Sequence, residues 1–204
     1  MSRLMPGALA LLFLACTSAP APDSAETGAA PAGPAPGSVE WKIEAYSSAA
    51  PPAIAANATV LDWNDSLTAH TVELRGGTNG WTCLPLMPPP TGGYTRAVEA
   101  APMCADSLSM VWAAGYMGRT TPANTSIGLA YMLHGDLGAS NIDPFATAAS
   151  PENDWVATGP HVMVFPADPR SLNAITSDHR TGGPWVMWKG TTYAHVMMPV
   201  TSPE

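Results

Sequence analysis

The sequence predicts an α+β fold, a mainly antiparallel β-sheet with about two helices, preceded by a disordered tether. Two observations support the sheet: short segments with apolar or alternating patterns recur from residue 39 onward, and Gly- and Pro-rich turns separate them. A third observation supports the tether. Residues 17–38 contain no large apolar side chain, so this segment cannot bury enough surface to offset the entropy lost on ordering.

The N-terminus has the pattern of an export signal. Arg3 precedes an apolar run over residues 8–15, which is too short to span a bilayer. The run ends in Phe13-Leu14-Ala15-Cys16, which resembles the lipobox of bacterial lipoproteins. We therefore expect a signal peptide at 1–15, a lipidated Cys16 and tether at 16–38, and a single globular domain at 39–204. The alternative is ordinary signal cleavage, which would give a freely secreted protein.

Charge and cysteine content are consistent with export. Eight Lys and Arg stand against sixteen Asp and Glu, which argues against a nucleic-acid partner. Lipidation of Cys16 would leave Cys83 and Cys104 to form a disulfide; two buried free thiols are the alternative. Neither a CxxC motif nor a Cys/His zinc spacing is present.

In the first part of the domain, the alternation of apolar and charged residues predicts a strand at Val39–Ala45. A second strand is expected at Ala58–Trp63. Two further strands flank a Gly-rich connection and are interpreted as a hairpin, His70–Arg75 with Trp81–Leu84. The clearest helix is Ala105–Tyr116.

In the second part, Ile127–His134 is apolar on both faces, which is typical of a central strand. Residues 135–160 are acidic, contain no Lys or Arg, and show little regular pattern. A strand follows at His161–Phe165, and Asp168-Pro169 should open a short helix through Ile175. The last two strands, Pro184–Trp188 and Tyr193–Val200, are expected to form a hairpin connected by Lys189-Gly190-Thr191-Thr192.

A repeated tripeptide is the sharpest candidate site. His161-Val162-Met163 and His195-Val196-Met197 each place an imidazole and a thioether on one face of a strand. If the strands are neighbours, the four side chains form one cluster suited to copper, particularly Cu(I). We expect Val162, Val164 and Val196 on the core side and the His and Met side chains on a face open to the acidic loop. The alternative is that both tripeptides are core.

A second candidate follows the predicted central strand. His134, Asp136, Asn141 and Asp143 could bind a ligand or a hard cation at a loop mouth. The alternative is that they cap helices and close turns. No catalytic residue is assigned, because the GxSxG, HExxH, SxxK and phosphate-loop motifs are all missing.

The segment from Trp81 to Val200 resembles a group of uncharacterised exported bacterial proteins. The resemblance rests on Trp81–Pro85, Tyr131–Leu133, Gly138–Asn141, Gly159–His161, Gly183–Thr191 and Tyr193–Val200. The group has no assigned activity, so the resemblance implies no catalytic residue.

These observations favour a lipid-anchored binding or interaction domain on the bacterial envelope, with an unknown ligand and no enzymatic activity. Its expected partners are the membrane, through the lipid, and an unidentified protein or small molecule. Two alternatives remain at this point: a His/Asp-dependent enzyme acting on an envelope substrate, and a copper-handling protein.

Overall fold

The computed structural model describes residues 33–200. In chain order its helices and strands are α1 (Val39–Ser47), α2 (Pro52–Ala55), β1 (Thr59–Trp63), β2 (His70–Arg75), β3 (Thr82–Pro85), β4 (Pro102–Ala105), α3 (Ser107–Met117), β5 (Gly128–Met132), β6 (Ala139–Ser140), β7 (Trp155–Val156), β8 (His161–Phe165), β9 (Trp185–Met187) and β10 (His195–Pro199). Three short 3₁₀ helices complete it: Ala97–Ala100, Pro169–Leu172 and His179–Thr181.

Eight strands form one sheet in the order β2-β1-β3-β4-β5-β8-β10-β9. Every neighbouring pair is antiparallel except β1 and β3, which are parallel. Strands β6 and β7 form a separate two-stranded sheet. The α+β class and the mainly antiparallel sheet are therefore confirmed.

The helices α1 and α3 cover opposite faces of the large sheet. Tyr46 of α1 packs with Cys83 and Cys104, whereas Trp112 of α3 packs with the alternate residues Leu84 and Met103. Successive residues of a strand point to opposite faces, so the two clusters lie on the two sides of the sheet. The cluster under α3 continues across β5, β8, β10 and β9.

Several predictions from the sequence are confirmed. The helix α3 and the strand β8 lie where expected, β5 is an interior strand of the sheet, and β9 pairs with β10 as a hairpin. Cys83 and Cys104 lie directly opposite each other on β3 and β4 and form a disulfide.

The predicted strand at Val39–Ala45 is instead the start of helix α1. The side chain of Ser38 caps the helix by accepting a hydrogen bond from the amide of Trp41 at 3.2 Å. Lys42 and Tyr46, four residues apart, then both reach the carboxylate of Asp62, at 2.7 and 3.0 Å. Capping and burial of one helical face outweigh a two-residue alternation that spans only seven positions.

The predicted hairpin between His70–Arg75 and Trp81–Leu84 does not form, because β1 lies between these strands. The Gly-rich connection crosses the start of β1 instead, where the Gly77 amide donates to Thr59 Oγ1. A Cβ atom on Gly77 would lie 2.1 Å from the Thr59 nitrogen. Glycine here permits a close crossing rather than a tight turn.

Two smaller expectations also change. The helix expected from Asp168 to Ile175 is shorter and of the 3₁₀ type, Pro169–Leu172. Its expected cap is present, because the Asp168 side chain accepts a hydrogen bond from the Arg170 amide. The segment 135–160 contains the paired strands β6 and β7, each two residues long. Strands this short carry no detectable periodicity.

Residues 1–15, the lipidation site Cys16 and most of the expected tether lie outside the described residues. Among residues 33–200, no helix has both the length and the apolar character needed to cross a membrane.

Candidate functional site

The repeated tripeptides lie on the buried face of the sheet under α3. On β8, His161, Met163 and Phe165 are buried, while Val162 and Val164 on the other side are only partly buried. His195 and Met197 of β10 are buried as well. The expected open face is therefore wrong, because the His and Met side chains lie in the main core. The intervening valines face the other side of the sheet, where Val196 is buried and Val164 packs against the same small cluster.

The strand register extends these residues into a larger set. Met163 lies opposite Met197, His161 lies opposite Met132 on β5, and His195 lies opposite Met187 on β9. We call the resulting row of side chains the His/Met band; its members are Met132, His161, Met163, Met197, His195 and Met187. The sequence did not indicate Met132 or Met187, since only the pairing of strands places them there.

The two histidines do not lie side by side. His161 is opposite Pro199, at one end of the β8–β10 ladder, and His195 is at the other end beside Phe165, with ring centroids 5.1 Å apart. The paired methionines Met163 and Met197 stand between them. The expected cluster with both imidazoles at one centre is corrected accordingly.

Both imidazoles are held in the same way. Nδ1 of His161 donates to the carbonyl of Gly159 at 2.8 Å, and Nδ1 of His195 donates to the carbonyl of Tyr193 at 3.0 Å. Burial lowers both pKa values, that of His195 to about 4. Near neutral pH each ring is therefore neutral, with its free electron pair on Nε2.

The surroundings of the two rings differ. His195 is enclosed by Trp112, Phe165 and Trp188, with centroid distances of 5.3, 5.1 and 5.0 Å. The Nε2 atom of His161 is buried and has no hydrogen-bond partner within residues 33–200. The negative charge of Asp136 acts on the pKa of His161 in the direction opposite to burial.

The second predicted group does not converge on one point. Asp136 Oδ1 accepts from the amides of Gly138 and Thr158, at 2.9 and 3.1 Å, and so closes a turn. Asp143 is exposed and caps the next turn through the Phe145 amide, while His134 is exposed. Across residues 33–200 no group of three or more His, Cys, Asp or Glu side chains is placed to hold a metal ion. The hard-cation site is therefore not formed.

Asn141 alone of that group lines a cavity, which we call the Asn141 cleft. Its volume is about 330 Å³, and it is lined by Asn141, Ile142, Asp154, Ser177, Asp178, Arg180 and Lys189. Three separate segments meet there: the β6–β7 sheet, the loop before the last 3₁₀ helix, and the turn of the final hairpin.

Asn141 connects these segments through its hydrogen bonds. Its Nδ2 donates to Asp154 Oδ2 and to the Ser177 carbonyl, each at 3.0 Å, and its carbonyl accepts from the Trp188 amide at 2.9 Å. Both amide protons of the side chain are thus used. The remaining atom, Oδ1, is buried and has no hydrogen-bond partner in the part of the chain that the structure describes.

The backbone beside Asn141 is strained at two places. Asp154 has φ of 43° and Trp188 has φ of 54°, both in the left-handed region. Aspartate tolerates this region, but for a bulky residue such as Trp it is an outlier. Such conformations persist where the surrounding contacts impose them, and they collect at functional sites.

The cleft has both signs of charge. Arg180 Nη2 binds Asp154 Oδ1 at 2.8 Å, and the hydrogen bond from Asn141, followed by that from His179, lowers the pKa of Asp154. Arg180 also contacts Asp178 at 3.3 Å. Lys189 is exposed and donates to the Ile175 carbonyl, and none of the carboxylates of residues 33–200 lies within salt-bridge distance of it. Among the lining residues, Lys189 is the cation without an acidic partner.

A second cavity, of about 350 Å³, lies between Trp112, Asn124, Asp168 and the turn Gly190–Thr192. Its charged groups, Arg170 and Asp168, bind each other at 3.0 Å, and Asn124 donates to the Pro166 carbonyl. These polar groups already have partners, so this cavity is the weaker candidate.

Comparison of the chain with protein-family models, with curated proteins and with solved structures gives no match.

Proposed function

We propose that this chain is an exported binding domain, anchored to the bacterial envelope through Cys16, that holds a small polar ligand in the Asn141 cleft. The observation that carries the proposal is the buried, unpartnered Oδ1 of Asn141, in a side chain whose other hydrogen bonds are all made. A buried acceptor without a donor is costly, so a ligand that donates to it is favoured.

The lining residues define the chemistry of that ligand. Asn141 Oδ1 requires an N–H or O–H donor, and Lys189 offers a charge-assisted bond to an acceptor or anion. Asp154 is already bound by Asn141 and Arg180, so it contributes little to anchoring a cation. A cleft of about 330 Å³ is at the lower end of small-molecule sites. The fitting class is therefore a hydroxylated small acid, such as a sugar acid.

The location belongs to the same proposal. The Cys83–Cys104 disulfide supports an oxidising compartment, because disulfides rarely persist in the cytosol. The remaining cysteine, Cys16, ends the segment that resembles a lipobox. Membrane fractionation tests the anchor: Cys16→Ala should release the chain from membranes or block its maturation. Equal recovery of variant and native chain in the membrane fraction, with no lipid mass on Cys16, would contradict it.

Isothermal titration of the mature chain with galacturonate tests the cleft, and galactose is the uncharged control. We expect galacturonate to bind and Lys189→Ala to weaken it by about tenfold, the value of one charge-assisted hydrogen bond. Asn141→Ala should weaken both sugars, whereas Asn173→Ala, at an exposed asparagine outside the cleft, should change neither. The ligand proposal fails if galacturonate does not bind, or if all variants bind it equally.

A further inference from the structure

We propose that one end of the His/Met band is a Cu(I) site, with His161, Met132 and Met163 as its ligands. This inference goes beyond the proposed function, since it uses none of the residues that line the Asn141 cleft. It also differs from the cluster expected from the sequence, because a methionine of β5 takes the place of the second histidine.

The His161 ring has the arrangement of a metal-binding imidazole. Its Nδ1–H is fixed on the Gly159 carbonyl at 2.8 Å, which leaves Nε2 as the atom with the free electron pair. Metal-bound histidines characteristically donate their other ring N–H to a carbonyl or carboxylate. Nε2 is buried without a partner in a residue that is 0% exposed, so no group among residues 33–200 competes for that electron pair.

Two thioethers are neighbours of this imidazole. Met132 lies directly opposite His161 on β5, where Cβ atoms of paired residues are about 5 Å apart. Met163 follows His161 by two residues and shares its face. Both methionines are buried, and Met197 is paired with Met163 next to them. Imidazole with soft thioethers selects Cu(I) and offers nothing to calcium or magnesium.

A charge is available to balance a buried monovalent cation. Asp136 is close enough to affect the pKa of His161, and two backbone amides, of Gly138 and Thr158, hold its carboxylate in place. A buried cation without an opposite charge is strongly disfavoured. His161 is also the first residue of β8. Gly159, two residues before it, is exposed, and a Cβ there would meet nothing within 4 Å, so the backbone that leads into the strand borders open space.

The other end of the band provides the matched control. His195 has the same Nδ1 bond and also has two methionines near it, Met187 opposite and Met197 two residues on. It is nevertheless packed against three aromatic rings, of Trp112, Phe165 and Trp188, which occupy the space around its imidazole. The proposal therefore assigns copper to the His161 end alone.

The test is competition for Cu(I) against a chromogenic chelator, without oxygen and with ascorbate as reductant. All variants carry Cys16→Ser, because a free thiol at that position would itself bind Cu(I). We expect the mature chain to retain one equivalent of Cu(I). Met132→Leu and Met163→Leu, which preserve volume, should each weaken binding by about tenfold or more. Met187→Leu at the other end and Met110→Leu on α3 should leave the affinity unchanged.

Copper K-edge absorption of the loaded chain gives an independent readout. One nitrogen and two sulfur scatterers are expected, with one sulfur lost in Met132→Leu. Circular dichroism confirms that each variant is folded, and galacturonate titration of the same samples separates failure here from failure of the cleft. The proposal is overturned if the chain retains no Cu(I), if Met132→Leu and Met163→Leu bind it normally, or if Met187→Leu weakens it equally.

Discussion

The two halves of the large sheet treat buried polar groups differently. In residues 33–105, which include β1–β4 and α1, the buried Asp62 accepts hydrogen bonds from both Lys42 and Tyr46. In residues 106–200, five buried side-chain atoms have no partner: Ser109 Oγ, Asn141 Oδ1, Thr158 Oγ1, His161 Nε2 and Trp185 Nε1. Within the described residues, none of these atoms belongs to the first half.

The two main core clusters also differ in composition: the buried members of the one under α1 lie within residues 45–104, and most of those under α3 lie in residues 106–200. The first is built from small alanines, the disulfide and a few tyrosines, with Tyr46 and Tyr94 packed edge to face. Burial raises the pKa of Tyr94 to about 12, so both its ring and its hydroxyl belong to a neutral core. The second is rich in Met and Trp, and His161 and His195 are buried on the same face of the sheet. Buried polar groups are normally satisfied, and exceptions concentrate where a protein binds or reacts. The contrast supports the proposal that ligand binding is located in the second half and that the first half mainly provides stability.

The largest expected effect comes from breaking the covalent link in the first half. Replacing both Cys83 and Cys104 with Ala removes the cross-link between two residues that are 21 positions apart. In the chain-entropy model such a cross-link raises the free energy of unfolding by about 3 kcal/mol. For a domain of this size, the thermal midpoint should fall by roughly 6–12 °C. Calorimetry of the oxidised chain and the double variant measures the difference. An unchanged thermal midpoint would contradict the view that the first half mainly provides the stability of the domain.

The second effect distinguishes the halves by pH. The pKa of His195 is about 4 in the folded chain, below its ordinary value, because burial disfavours the imidazolium. The unfolded chain therefore binds the proton first as pH falls, and stability that is present above pH 6.5 is lost toward pH 4. At pH 5 the loss from this residue should be about 2 kcal/mol.

Urea unfolding at pH 7 and pH 5 measures this loss, with His195→Gln as the comparison. Other groups titrate in the same window, His161 in the same direction and Asp136 with a raised pKa. The difference in pH dependence between the native chain and the variant isolates His195. Identical pH dependence in both would contradict the burial of a neutral imidazole at this position.

Patterns with local causes were predictable from the sequence. The hairpin of β9 and β10, the capped helix α3 and the apolar strand β5 each depend on residues close together in the chain, and all three form as expected. Helix α1 has the alternating pattern of a strand, and what makes it a helix includes the bonds of Lys42 and Tyr46 to Asp62, sixteen or more residues away. A short alternating segment does not reveal such a partner.

The candidate sites were only partly predictable for the same reason. The His-x-Met spacing correctly indicated that each pair shares a strand face, but Met132 joins His161 only through the pairing of β5 with β8. Asn141 was singled out, yet its cleft depends on Ser177 and Lys189, which are distant in sequence. Register between strands and contacts between loops are tertiary properties, and a single sequence carries little information on them.

The smallest effect is the most direct test of the comparison, because it removes one buried hydroxyl from each half. In the first half, Tyr46→Phe deletes a hydroxyl that donates to Asp62 at 3.0 Å, leaving that carboxylate with one partner fewer. We expect a loss of about 1–2 kcal/mol in the free energy of unfolding, as for hydrogen bonds to charged groups.

In the second half, Thr158→Val deletes the buried Oγ1 that has no partner within residues 33–200 and preserves the shape of the side chain. Since no bond is lost and a desolvated polar group is removed, stability should stay the same or rise by up to about 1 kcal/mol. Urea unfolding of both variants beside the native chain measures the signs. If Thr158→Val destabilises the protein as much as Tyr46→Phe does, its hydroxyl has a partner in solution, and the contrast between a satisfied and an unsatisfied half is wrong.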